Sequence, residues 1–171
     1  LPIHGYCAIN LPAIYILNDT IGGVDVIIPE DLPSEDFALS PGETVHLDGR
    51  LAYFYIRYRD VNVVESARMR LNRQKQYLLA FVEKAKQEFA KDVTLPLKLF
   101  NAAIPSMVTD LTADEVVYLA GEAAGYTFSE DDLIVLPGVT DTSGEFDEFY
   151  VDQDALKQII IDVFYTEVEG I

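Results

Sequence analysis

The chain has 171 residues, half of them apolar, and carries 12 lysines and arginines against 29 aspartates and glutamates, for a formal charge of -17. Its length suits one folded domain with a single sizeable core. The acidic balance excludes a nucleic-acid partner, which needs a broad basic face to release counterions, and no apolar run is long enough to span a membrane.

The opening Leu-Pro-Ile lacks a methionine, so the chain is expected to be a fragment with further sequence upstream. Residues 3–10 form a short apolar run that predicts a strand, with Cys7, the lone cysteine, as a buried thiol. Pro12 suits the first turn of a helix over 12–20, ended by Gly22-Gly23. The β-branched run 24–28 predicts a strand stopped by Pro29. Residues 29–46, rich in Pro, Asp, Glu and Ser, read as a long surface loop with a minor hairpin near Pro41-Gly42. Asp48 is placed as the N-cap of a short helix over 49–55. Beyond it the chain is expected to run extended, so that Arg57 and Arg59 project together; continued helical spacing would instead set Tyr53 beside Arg57.

Residues 66–91 contain neither Gly nor Pro and predict one long helix. Pro96 opens another, expected to reach about Met107. Thr112 and Glu115 form a capping box for a helix to Ala124. Residues 133–136 read as a strand, 138–149 as a loop, and Asp152 as the cap of a final helix to about Tyr165. Strands interspersed with helices give an α/β layered fold, with no internal repeat and no interdomain linker, hence one domain over 1–171.

Charge is unevenly spread. All six arginines (Arg50, Arg57, Arg59, Arg68, Arg70 and Arg73) lie in one stretch, opposed there only by Asp60 and Glu65. Guanidinium donates in a planar fork and keeps its proton, so such a cluster in an acidic protein points to an anion pocket. Stepping about 100° per residue from Arg70 puts Gln74 at about 40°, Phe81 at about 20° and Tyr77 at about 340°, on the apolar side, with Arg68 at about 160°. Arg70 and Gln74 therefore point inward, where a guanidinium must meet an anion. That anion is either a ligand, for which a diphosphate offers enough oxygens, or one of the protein's own acids, such as Asp60, Glu65 or an acid of the 29–48 loop. Tyr53, Tyr55, Tyr58 and Tyr77 are expected as core or pocket wall.

Other chemistries lack their signatures. There is no phosphate-binding glycine loop and no G-x-S-x-G elbow. His4 and His46 have no metal-ligand spacing, and Glu130-Asp131-Asp132 reads as a solvated turn.

Three blocks together resemble the LytR-CpsA-Psr family of cell-envelope proteins: Gly22-Gly23-Val24-Asp25-Val26; Leu47-Asp48-Gly49 with Ala52 and Tyr55-Ile56-Arg57-Tyr58-Arg59; and Arg70-Leu-Asn-Arg73-Gln74. The resemblance implies a three-layer α/β/α sandwich, here without its N-terminal strands, and a lipid tunnel between sheet and helices. It implies an extracytoplasmic phosphotransferase, anchored through an upstream segment, that moves a glycopolymer from a polyprenyl-pyrophosphate carrier onto peptidoglycan. Arg57, Arg59, Arg70, Arg73 and Gln74 would bind the pyrophosphate, and Tyr55, Tyr77, Leu78 and Phe81 would wall the pocket. It also implies Mg²⁺, whose ligands would lie outside this chain. Where the family carries an acid three residues before the last block, this sequence has Ala67. The alternative is a non-catalytic pyrophosphate- or lipid-binding or regulatory module without the metal site. Open strand edges would also permit a homodimer.

Overall fold

A computed structural model describes residues 2–63, 65–144 and 148–165. The chain forms two compact units, residues 1–130 and 131–171. The fold is α/β, and among the described residues the strands form four antiparallel two-stranded ladders.

In the first unit, β1 (Cys7–Ile9) is followed by α1 (Ala13–Thr20) and β2 (Val24–Ile27). Two short strands, β3 (Leu32–Pro33) and β4 (Ala38–Leu39), precede β5 (Thr44–Leu47). Then come α2 (Gly49–Arg57), α3 (Ser66–Lys91), α4 (Leu95–Ala103), β6 (Met107–Thr109) and α5 (Ala113–Ala123). The second unit holds β7 (Gly138–Asp141), β8 (Glu148–Val151) and α6 (Gln153–Phe164).

The core is built on the β2–β5 ladder. Val24 and Val26 alternate inward while Asp25 and Ile27 face out, the period-two pattern of a half-buried strand. Gly22 and Gly23 both have positive φ, at 82° and 79°, and a side chain at Gly23 would run into the His46 ring, so this tight entry to β2 needs glycine. Against the ladder α2 lays Ala52, Tyr55 and Ile56, and α3 adds Tyr77, each at helical spacing. One polar residue lies deep in this core. Asn18 is fully buried, donates to the Leu47 carbonyl at 2.8 Å, and accepts from the Tyr77 hydroxyl at 3.1 Å, which joins α1, β5 and α3 without leaving a buried polar group unpaired.

The N-terminus of α2 is doubly capped. Asp48 accepts from the Leu51 amide at 2.8 Å and Asp19 accepts from the Gly49 amide at 2.6 Å. The α3 bounds and the caps Asp48, Thr112 (with its reciprocal Glu115) and Asp152 match the sequence expectation.

Several expectations are corrected. Cys7 is exposed, because β1 is covered on one edge only and all three of its residues remain open to solvent. The 29–46 loop contains strands: its end, Thr44–Leu47, pairs residue for residue with β2. The fourth helix stops at Ala103, and residues 107–109 pair with β1 instead, because Pro105 cannot continue the backbone hydrogen bonds of the helix. Residues 133–136 are not a strand, whereas 138–141 and 148–151, within and beyond the expected loop, form a hairpin. The helix over 49–55 extends to Arg57.

Candidate functional site: the junction of two helices

Helix α2 ends without a glycine. Tyr58 leaves the helix at φ -49° and ψ 132°, and the carbonyls of the last turn need partners other than backbone amides. Helix α3 supplies them. The Arg73 guanidinium donates from Nε to the Tyr55 carbonyl at 3.0 Å and from Nη2 to the Tyr58 carbonyl. Gln74 donates from Nε2 to the Ile56 carbonyl at 3.0 Å. The remaining fork of Arg73, through Nη1, meets the Glu30 carboxylate, which stands just after Pro29 at the end of the β2 segment. Arg73 is 2% exposed.

The arginines flanking Tyr58 turn outward. Arg57, the last residue of α2, is exposed; its Nη1 donates to the Tyr53 hydroxyl at 2.6 Å, and its guanidinium lies 4.8 Å from the centroid of that ring. This is the i,i+4 relation that continued helix imposes, so Arg57 and Arg59 do not project together as extended neighbours. Arg57 lines a groove of about 460 Å³ with Arg50 and an aromatic wall that includes the stacked pair Tyr15 and Tyr53. Arg59 is exposed, donates from Nε to the Ser66 hydroxyl at 3.1 Å, and lines a separate cavity of about 230 Å³ with Glu30, Asp60 and Arg73.

Arg70 is half-buried and, among the described residues, has neither a hydrogen bond nor an ion pair. Arg68, one residue pair away on the helix, is 72% exposed and reaches Glu65 at 3.5 Å, in keeping with its outward helical phase. The inward face of α3 is nevertheless centred on Ser66, Arg73 and Tyr77 rather than on Arg70. The carboxylate of Glu30, from a distant part of the chain, meets Arg73 in the interior.

The four wall residues divide. Tyr55 and Tyr77 are buried core groups, and the Tyr55 hydroxyl is held by Gln76. Leu78 is 41% exposed. Phe81 faces an apolar groove of about 280 Å³ between α3, α4 and α5, together with Ala85, Phe89, Leu99, Phe100 and Ala120. Burial pushes the Tyr55 phenol up to about 12, with Glu30 adding to the rise and Arg73 opposing it. Burial raises Tyr77 as well, with Asp19 adding to it. Both keep their protons in the folded chain at a pH where an unfolded chain would release them, so they lower stability as pH rises past about 10. A phenolate absorbance titration of the folded protein should show Tyr55 and Tyr77 still neutral after the exposed tyrosines have ionised, and urea unfolding should become easier over the same interval.

Among the described residues, no three histidine, cysteine or carboxylate side chains are grouped to hold a metal ion. The described residues alone therefore offer no such grouping for Mg²⁺. Glu30 is one of the acids of the 29–48 loop that the sequence offered, unnamed, as an internal partner, and Arg73 bears that alternative out; the sequence signal missed Arg50 and Tyr15 as groove residues.

The chain matches the LytR_cpsA_psr family over residues 1–162. No curated protein matches it significantly. Among solved structures it resembles TagV of Bacillus subtilis, with 24% identity, 98% of this chain and 66% of that one covered, and a TM-score of 0.71. A protein described as a transcriptional regulator from Enterococcus faecalis shares 24% identity over 92% of this chain and 57% of its own, with a TM-score of 0.71. TagT bound to LI-WTA shares 19% identity over 95% of this chain and 60% of its own, with a TM-score of 0.66. At these identities the likeness is one of fold, and the chain spans 66% or less of the length of each of the three.

Proposed function

This chain belongs to the LytR_cpsA_psr family, and from that premise we propose that it is part of a cell-envelope phosphotransferase, acting at the extracytoplasmic face of the membrane, that holds a polyprenyl-pyrophosphate-linked glycopolymer for attachment to peptidoglycan. The observation that carries this reading is the run of α3 from Arg70 to Phe81. Arg70 is a half-buried guanidinium with no partner among the described residues. Eleven residues on, at a rise of about 1.5 Å each and nearly the same helical phase, Phe81 opens the apolar groove shared with α4 and α5. One helix thus carries a cation for a charged head and, roughly 16 Å away, an oily channel for a hydrocarbon tail.

Arg57 and Arg59, exposed on either side of Tyr58 and lining different cavities, are the further guanidiniums this reading assigns to the diphosphate. Their part is to neutralise and orient it, since charge-assisted forks to phosphate oxygens are both strong and directional. TagT, a protein of similar fold, is known bound to LI-WTA, which supports a glycopolymer-bearing ligand. No helix among the described residues is long and apolar enough to cross a membrane.

Farnesyl diphosphate and farnesol, which share a tail and differ in the head, test the reading. The chain should bind the diphosphate at least about tenfold more tightly than the alcohol. Equal affinities would leave the apolar groove without a head-group site and remove the proposal.

A further inference from the structure

We propose that Glu30, Arg73 and Gln74 form a clamp that sets the end of α2, and that Arg73 so acts as a positioning residue for Arg57 and Arg59 rather than as a ligand contact. Three consecutive facts carry this. The carbonyls of Tyr55, Ile56 and Tyr58 are taken by Arg73, Gln74 and Arg73 respectively. Those carbonyls bracket Arg57 and immediately precede Arg59. And the third donor face of Arg73 is occupied by Glu30, so little of its fork is left for a ligand.

The chemistry explains why an arginine stands there. The usual way to end a helix is a left-handed glycine that brings backbone amides to the last carbonyls, but the nearest glycine after Gly49 is Gly121. A planar guanidinium offers donors at fixed angles and can read two carbonyls two or three residues apart at once. The geometry of the fork then dictates where the backbone leaves the helix. That exit fixes Arg57 as the last helical residue, stacked on Tyr53, and sends Arg59 to the other side, towards Ser66.

Glu30 has a distinct task. A guanidinium only 2% exposed is tolerated in the interior only if an anion meets it there. Glu30, with a side chain 21% exposed, provides it from the loop after β2, so the position of the arginine pair is tied to the hairpin as well as to α3. The clamp stands on geometry alone; its consequence for ligand affinity rests on the pyrophosphate reading above.

Two measurements on the full chain test it. The first needs no ligand. Amide hydrogen exchange over residues 56–60 should quicken at least tenfold in Arg73→Lys and in Glu30→Gln, and also in Gln74→Met, the milder change to rely on should either of the first two unfold the chain. Exchange in α5 should stay unchanged. Unaltered exchange at the end of α2 in all three variants would overturn the clamp. The second uses farnesyl diphosphate. Arg73→Lys should weaken binding at least tenfold in the wild-type background and threefold or less in the Arg57→Ala and Arg59→Ala backgrounds, since the effect passes through those side chains. The same tenfold loss in every background would mean that Arg73 touches the ligand directly and would overturn the positioning role. If the wild type does not bind farnesyl diphosphate at all, the pyrophosphate reading fails, and the exchange measurement alone decides the clamp.

Discussion

Replacing Arg73 by alanine is expected to lower the unfolding free energy by about 3–5 kcal/mol, the range for removing one member of a buried ion pair. The effect is large because three groups lose their partner together. Glu30 loses its buried cation, and the carbonyls of Tyr55 and Tyr58 lose a donor. Unsatisfied buried acceptors each carry a desolvation cost of about 1–3 kcal/mol. The truncation also removes a side chain set against the rings of Tyr55 and Tyr58, whose centroids lie 5.9 Å and 5.7 Å from the guanidinium carbon. Arg68 is the internal comparison. It sits on the same helix, but 72% exposed and 3.5 Å from Glu65, so Arg68→Ala should change stability by about 0.5 kcal/mol or less. Urea unfolding of the two variants side by side checks this. A difference of less than about 1 kcal/mol between them would show that Arg73 is not the buried anchor described above.

The parts of the fold legible in the sequence were those with local causes. The long helix α3 has no internal breaker, and the caps Asp48, Thr112 and Asp152 act on amides within three residues. What could not be read depends on distant partners. Residues 44–47 become a strand because β2, twenty residues earlier, presents the matching edge; taken alone they sit in a run of turn-forming residues. The hairpin of 138–141 and 148–151 is almost wholly exposed, so it has no inward-facing stripe to betray it, whereas the apolar run 133–136 looked like a strand and has no ladder. Pro105 was a local signal that outweighed the helix pattern around it. The same division holds at the site. Helical phase correctly turned Arg68 outward. It could not foresee that Glu30 would reach Arg73, 43 residues away, and make that residue the most buried arginine. At Arg57 the expected extended chain gives way to continued helix, which sets Arg57 against the Tyr53 ring.

The central claim is that Arg57 and Arg70 meet the diphosphate of a lipid-linked ligand, and calorimetric titration of farnesyl diphosphate into the wild type and into Arg57→Ala, Arg70→Ala and Arg68→Ala tests it most directly. A hydrogen bond to a charged group contributes about 1.5–3 kcal/mol, so Arg57→Ala and Arg70→Ala should each weaken binding roughly 10- to 100-fold. Arg68, exposed and outward, should leave it within about twofold, apart from a small long-range charge effect that salt screens. Loss on Arg57→Ala and Arg70→Ala with retention on Arg68→Ala is the result the account predicts. Equal affinity in all four proteins, or no binding by the wild type, would contradict it.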